Sequence, residues 1–162
     1  MKHSAAPVKL FPMNGLLKNE VKWYQKFCNC AEFPQHTPKL LDYSYDSLVL
    51  EFAGSPITKE TIPVDFKNQI REIAYFLQNN HCYHCDITPG NLLVLDNRLF
   101  LIDFGWSVKV GQDPYRRWRK ANKEYLKCMG SQYRAPDWPN DRYSLARIYK
   151  EFAGNPDDKL YF

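Results

Sequence analysis

"HCYHCDITPGN", residues 81–91, admits two incompatible readings. Its first half sets two histidines and two cysteines within five residues, the raw material of a metal cluster. Its second half places Asp86 five residues before Asn91 in a loop with Pro89 and Gly90, the layout of a phosphate-transfer site. Choosing between them decides the fold.

Structural zinc wants four ligands in a tetrahedron, commonly as two pairs. Cys82 and Cys85 have the spacing of one pair, but Cys28 and Cys30 are a single residue apart at the end of a helical pattern. Five cysteines cannot all pair within one chain, so reduced, buried thiols in a cytoplasmic setting are the simpler expectation. A zinc-bound interaction module stays as a minor alternative.

The catalytic reading draws on more of the chain. Upstream, Phe66, Ile70, Ile73, Ala74 and Leu77 share one face of a predicted helix over 64–79, with Lys67, Gln69 and Arg71 off it. Downstream, "LLVLDNRLFLI", 92–102, reads as two strands around an Asp96-Asn97 turn. Asp103-Phe104-Gly105 ends that hairpin. A hairpin brings its two ends together, so Asn91 and Asp103 are expected at one metal site. Phosphoryl transfer needs a carboxylate to orient and deprotonate a hydroxyl, and oxygen ligands to hold Mg2+ against the phosphates.

The order helix, His84-x-Asp86-x-x-x-x-Asn91 loop, hairpin and Asp-Phe-Gly resembles the protein-kinase-like superfamily. "GSQYRAPD", 130–137, is similar to the end of the kinase activation segment, with Asp137 for the usual glutamate. Asp141 and "YSLARIY" resemble the start of the central helix of the large lobe. "PVKLF" and "NEVKWYQKF" resemble the strand with the phosphate-binding lysine and the helix with its glutamate partner.

From this resemblance follow the expected roles. Asp86 is the proton acceptor, and Asn91 and Asp103 are the magnesium ligands. Lys9, Glu20, Glu51 and Ala53 bind ATP, the last two through a hinge backbone at the adenine. His84 and Asp141 support the catalytic loop. The implied fold class is α+β, a protein-kinase-like two-lobed fold in one domain, 1–162. It divides into a reduced N-lobe (1–52), a hinge (53–56) and a helical C-lobe (57–162). No glycine-rich strand pair precedes Lys9, and few residues follow the last helix, so the expected form is a minimal kinase with a truncated N-lobe and reduced C-lobe. Cys85 and Thr88 stand where protein kinases often carry arginine and lysine. The acceptor is therefore left open between a protein Ser/Thr and a sugar or lipopolysaccharide-type molecule. A pseudokinase that binds nucleotide or a partner is the alternative.

Other features set bounds. A net charge of +4 over 162 residues does not favour nucleic acid as a partner. Within "YRRWRK", Arg116, Arg117, Arg119 and Lys120 offer contacts to an anionic acceptor or partner. No stretch reaches 18 apolar residues, so no membrane span is expected. A first strand is expected at 6–12 and a helix over 19–30, capped by Asn19. Tyr143, Leu145, Ala146, Ile148, Tyr149 and Phe152 spread around the last helix, which predicts a homodimer or protein partner covering 141–162.

Overall fold

Apolar side chains at helical spacing set α1 (Asn14–Cys28) in the computed structural model, which describes residues 14–28, 36–117, 132–153 and 160. Val21, Trp23, Tyr24 and Phe27 face inward, while Lys22, Gln25 and Cys28 face solvent. The helix begins earlier than expected, so Asn19 is not its cap but a buried residue in its middle. The strand expected at 6–12 lies outside the described residues.

Two short strands follow, β1 (Leu40–Tyr43) and β2 (Leu48–Leu50), paired antiparallel around a polar turn closed by Ser44 N–H to Ser47 O at 2.9 Å. β3 (Ser55–Pro56) comes next and pairs with β5 (Leu92–Leu95). Gly54 is what lets the chain enter this pairing. Its φ is +96°, and a Cβ there would meet Val94 O at 1.8 Å. The proposed hinge, 53–56, is thus held by main-chain contact with β5 and by the buried Ala53.

In α2 (Phe66–Asn79), Phe66, Ile70, Ile73, Ala74 and Leu77 are buried, as their spacing predicts. Gln69, expected on the polar face, is buried too. Its Nε2 donates to Asn97 O at 2.8 Å, and its Oε1 accepts Leu99 N–H at 2.7 Å. Both halves of the amide are satisfied, which is why a polar side chain is tolerated inside. They fasten α2 to the hairpin of β5 and β6 (Arg98–Leu101). Asp96 and Asn97 sit at φ +48° and +63°, the left-handed pair that a tight two-residue turn demands.

Between α2 and that hairpin lie β4 (Cys82–Tyr83) and a 3-10 turn, Pro89–Asn91. β7 (Val108–Lys109) pairs with β4. Then come α3 (Pro114–Arg117) and α4 (Asp141–Phe152). Asn140 caps α4, its side chain accepting Tyr143 N–H at 3.1 Å. The main core joins Trp23, Tyr24 and Phe27 of α1 with residues of α2, the hairpin and α4, and a smaller cluster holds Cys85, Trp106 and Val108. The architecture is α+β, as the sequence leads one to expect.

The apolar residues of α4, whose spread predicts a partner over 141–162, are met largely from within. Leu145, Ile148 and Tyr149 are buried in the chain's own core, and Leu160 packs against it. Of the large apolar side chains on α4, Tyr143 is the exposed one. Tyr161 and Phe162 lie outside the described residues. No helix among the described residues is long and apolar enough to cross a membrane.

Candidate active site

The loop from His84 to Asn91 is fixed by polar groups that the rest of the chain buries beneath it. Asp141, at the start of α4, accepts His84 N–H at 2.6 Å and Cys85 N–H at 3.1 Å, one on each carboxylate oxygen. Trp138 Nε1–H donates to Cys85 O at 3.1 Å, and Ser107 Oγ–H to His84 O at 3.3 Å. Cys85 is held at φ +71°, an unfavoured conformation that these contacts over-determine. They present Asp86, the next residue, half-buried.

His84 is fully buried. Its Nδ1 accepts Asp86 N–H at 3.3 Å, so the proton rests on Nε2, which donates to Ile102 O at 2.9 Å. Burial pushes its pKa down to about 4, against the pull of Ile102 O and the charge of Asp103, so the ring is neutral near pH 7. Burial also pushes the Asp141 carboxyl up to about 6, even though two N–H groups favour its ionised form.

Asn91 is set by the 3-10 turn, its N–H donating to Thr88 O at 3.0 Å. Ile102 N–H donates to Asn91 O at 3.0 Å, tying the two ends of the hairpin together. The Asn91 side chain spends its Nδ2 on Asp86, at 2.9 Å to the main-chain oxygen and 3.4 Å to the carboxylate. Its Oδ1 carries no hydrogen bond among the described residues. Asp103, half-exposed, stands at φ +67° where the hairpin ends. An amide oxygen and a carboxylate fit what Mg2+ asks of a protein, which is a few hard oxygens, with phosphates and water completing the shell.

Sequence reasoning missed the α1 side of the site. Asn19 Nδ2 reaches three carbonyl oxygens, Phe104 at 3.3 Å and Gly105 and Ser107 each at 2.9 Å. Trp23 Nε1–H also approaches Ser107 O, at 3.3 Å. Phe104 is fully buried, its ring 4.7 Å from His84, 4.8 Å from Phe27 and 5.5 Å from Tyr24. An aromatic stack therefore runs from α1 through Phe104 to His84, and Asp141 holds the backbone of its last member. The only sequence signal is Asn19 itself, a polar residue within an apolar helical pattern.

The remaining expected residues are more scattered. Glu20 is half-buried on α1, one turn before Tyr24; Lys9 lies outside the described residues. Glu51 is exposed and its N–H is engaged by Lys39 O at 2.9 Å, while Ala53 is buried. Arg116 and Arg117 are exposed on α3; Arg119 and Lys120 lie outside the described residues. Asp137 is exposed and accepts from Asn140 Nδ2 at 3.2 Å. Arg134 stacks on the Trp138 ring, 4.1 Å from its centre. A groove of about 490 Å³ between α1 and the turn at Tyr43–Tyr45 contains none of the expected site residues.

Cys82 and Cys85 are both buried. Burial pushes each thiol well above its usual pKa, and the Asp141 charge adds to it, so neither is a ready thiolate. No group of three or more His, Cys, Asp or Glu is placed to hold a metal ion among the described residues.

No protein-family model matches the chain. Three curated proteins resemble parts of it. A "Probable serine/threonine-protein kinase BUD32 homolog" of Archaeoglobus fulgidus is 32% identical over 69 residues, 43% of this chain and 35% of that protein. An Aurora kinase of Candida albicans is 47% identical over 45 residues, 27% of this chain and 8% of that protein. A "Probable serine/threonine-protein kinase" of Dictyostelium discoideum is 30% identical over 74 residues, 42% of this chain and 14% of that protein. The matches thus span about a third of the archaeal protein and much less of the other two. Taken with the α+β architecture, these likenesses support a protein-kinase-like superfamily for the chain.

Proposed function

We propose that the chain is an ATP- and Mg2+-dependent phosphotransferase that moves the γ-phosphate of ATP to a hydroxyl. The observation that carries this reading is the Asp86–Asn91 pair. The Asn91 amide gives its nitrogen to Asp86, which leaves its oxygen for a metal and keeps the Asp86 carboxylate beside it. Asp86 then orients the acceptor hydroxyl and takes its proton as the bond to the γ-phosphorus forms and that phosphorus parts from the bridging oxygen, which leaves with ADP. Asn91 and Asp103 would hold Mg2+, with Lys9 and Glu20 toward the phosphates and the Glu51–Ala53 backbone toward the adenine. Bound Mg2+ supplies charge neutralisation at the phosphates. His84 and Asp141 touch no reacting atom in this scheme; they fix the backbone that presents Asp86.

Two of the three similar proteins are named as probable serine/threonine-protein kinases, which favours a protein serine or threonine as acceptor over a sugar. The exposed Arg116 and Arg117 suit an acceptor with acidic neighbours. Incubation of the full chain with labelled ATP and Mg2+, following label into protein and small-molecule pools, tests the proposal. Transfer that needs Mg2+ supports it. Nucleotide binding without transfer to any pool would leave a binding module in its place.

A further inference from the structure

Tyr24 carries a hydroxyl that packing does not call for. Its ring is buried, edge-on to Phe104 at 5.5 Å and to Phe27 at 6.5 Å, and a phenyl ring would fill the same space. Yet the oxygen is enclosed and has no hydrogen-bond partner among the described residues. A buried O–H without an acceptor lowers stability, and such groups in folded proteins call for an explanation.

The surroundings suggest one. Glu20 precedes Tyr24 by one helical turn, and the contact with Phe104 brings its neighbour Asp103 close. Burial, and then the charges of Glu20 and Asp103, push the phenol well above its usual pKa against the pull of the Asp103 main chain, so the group remains a proton donor. Asp103 Oδ1 lies over Gly105, 3.4 Å from where a Cβ on that glycine would stand. The Asp103 side chain is half-exposed, which leaves it room to turn.

We propose that the Tyr24 hydroxyl is a positioning donor for the Asp103 carboxylate, engaged when Asp103 holds the magnesium–nucleotide complex. The inference rests on the phosphotransfer reading above. A carboxylate has two oxygens. With one committed to a metal, the other can accept from the phenol, and a hydrogen bond to a charged acceptor fixes the ligand in place. The O–H then has no acceptor among the described residues of the free chain because its acceptor turns toward it only with the ligand. It is not a catalytic group, since it touches neither nucleotide nor acceptor.

Tyr24→Phe in the full chain tests this, because it removes the oxygen and keeps the stack. Two measurements are needed: melting with and without Mg2+ plus a non-hydrolysable ATP analogue, and the Mg2+ concentration giving half-maximal transfer. The free variant is expected to melt at or above the wild-type temperature. Its gain in melting temperature from Mg2+ and analogue should be clearly smaller, and its half-saturating Mg2+ about tenfold higher, the worth of one hydrogen bond to a charged group. A variant that responds as the wild type does on both counts overturns the inference alone. So does a variant that loses cooperative melting, since the hydroxyl would then be structural. A wild-type chain with no response to Mg2+ and analogue overturns the phosphotransfer reading, and this inference with it.

Discussion

Asp86 and Asp103 are supported in opposite ways. Beneath Asp86, the loop hangs from a buried carboxylate, because Asp141 takes the N–H groups of His84 and Cys85. Beside Asp103, the 104–107 turn hangs from a neutral amide, because Asn19 gives its protons to three carbonyl oxygens. One support accepts with a charge that titrates, and the other donates without one. Hydrogen bonds to charged groups are worth more than neutral ones, roughly 1.5–3 against 0.5–1.5 kcal/mol. The charged support should therefore be the stronger of the two and the one that depends on pH.

Replacing the group being supported should have the largest effect. Asp86→Asn keeps the size of the side chain and the amide contact with Asn91 but removes the proton acceptor. Transfer from labelled ATP should fall by roughly 10²–10⁴-fold, with melting unchanged. Transfer by that variant at the wild-type rate would remove Asp86 from the mechanism, and the comparison would lose its object.

Next in size is loss of the charged support. Asp141→Ala leaves two buried N–H groups unsatisfied beside a neutral His84, at a cost of about 2–4 kcal/mol. For a chain of this length that is about 5–15 °C in melting temperature. Loss of the neutral support should cost less. Asn19→Ala takes the amide donor from Gly105 O, while Phe104 O keeps Ser107 N–H and Ser107 O keeps Trp23 Nε1. About 1–2 kcal/mol is expected, seen as a smaller drop in the urea midpoint. If Asn19→Ala destabilises as much as Asp141→Ala, the difference between a charged and a neutral support has been misjudged.

Sequence reasoning reaches these two supports unequally, for a physical reason. The helix at 66–79, the hairpin turn at Asp96-Asn97 and the Asp86, Asn91 and Asp103 positions follow from local spacing, and local spacing is what a sequence displays. Asp141 is legible only through resemblance to a family. Asn19, Gln69 and Trp138 act across 28 to 88 residues of chain, and no local pattern encodes such a partner. Asn19 looks like a helix cap because asparagine caps helices, and Gln69 looks exposed because glutamine usually is. In both cases a satisfied buried amide overrides the propensity of its residue type. The last helix is a third case. Its apolar residues look too widely spread for one face, but Leu145, Ile148 and Tyr149 belong to the chain's own core, where α2 packs against the helix.

The most discriminating effect concerns pH. Asp141 titrates near pH 6 in the folded chain against an ordinary 3.8, and His84 near 4 against an ordinary 6.5. The two therefore act on stability in opposite senses. The raised Asp141 contributes stability that is fully present below pH 3.8 and is lost as pH rises through 6. The depressed His84 contributes stability present above pH 6.5 and lost as pH falls through 4. A titration displaced by one pH unit is worth about 1.36 kcal/mol, so each group contributes about 3 kcal/mol. Between pH 6 and 4 the unfolded chain holds one more proton at His84 and one fewer at Asp141, so the two slopes cancel. Cys82 and Cys85, the other titratable groups that bear on Asp141, are held protonated throughout this range. Removing one partner of the cancellation should expose the other. In Asp141→Asn, folding stability should fall on acidification more steeply than in the wild type, by about 1.4 kcal/mol per pH unit between 6 and 4, measured by urea unfolding at each pH. Transfer should behave the other way. The wild type loses an acceptor for a loop N–H as Asp141 takes its proton, so its rate should bend downward near pH 6. The asparagine variant, already impaired, should show no bend there. Parallel stability curves for the two chains, or an unchanged bend in the variant, would place the pH-sensitive support somewhere other than Asp141.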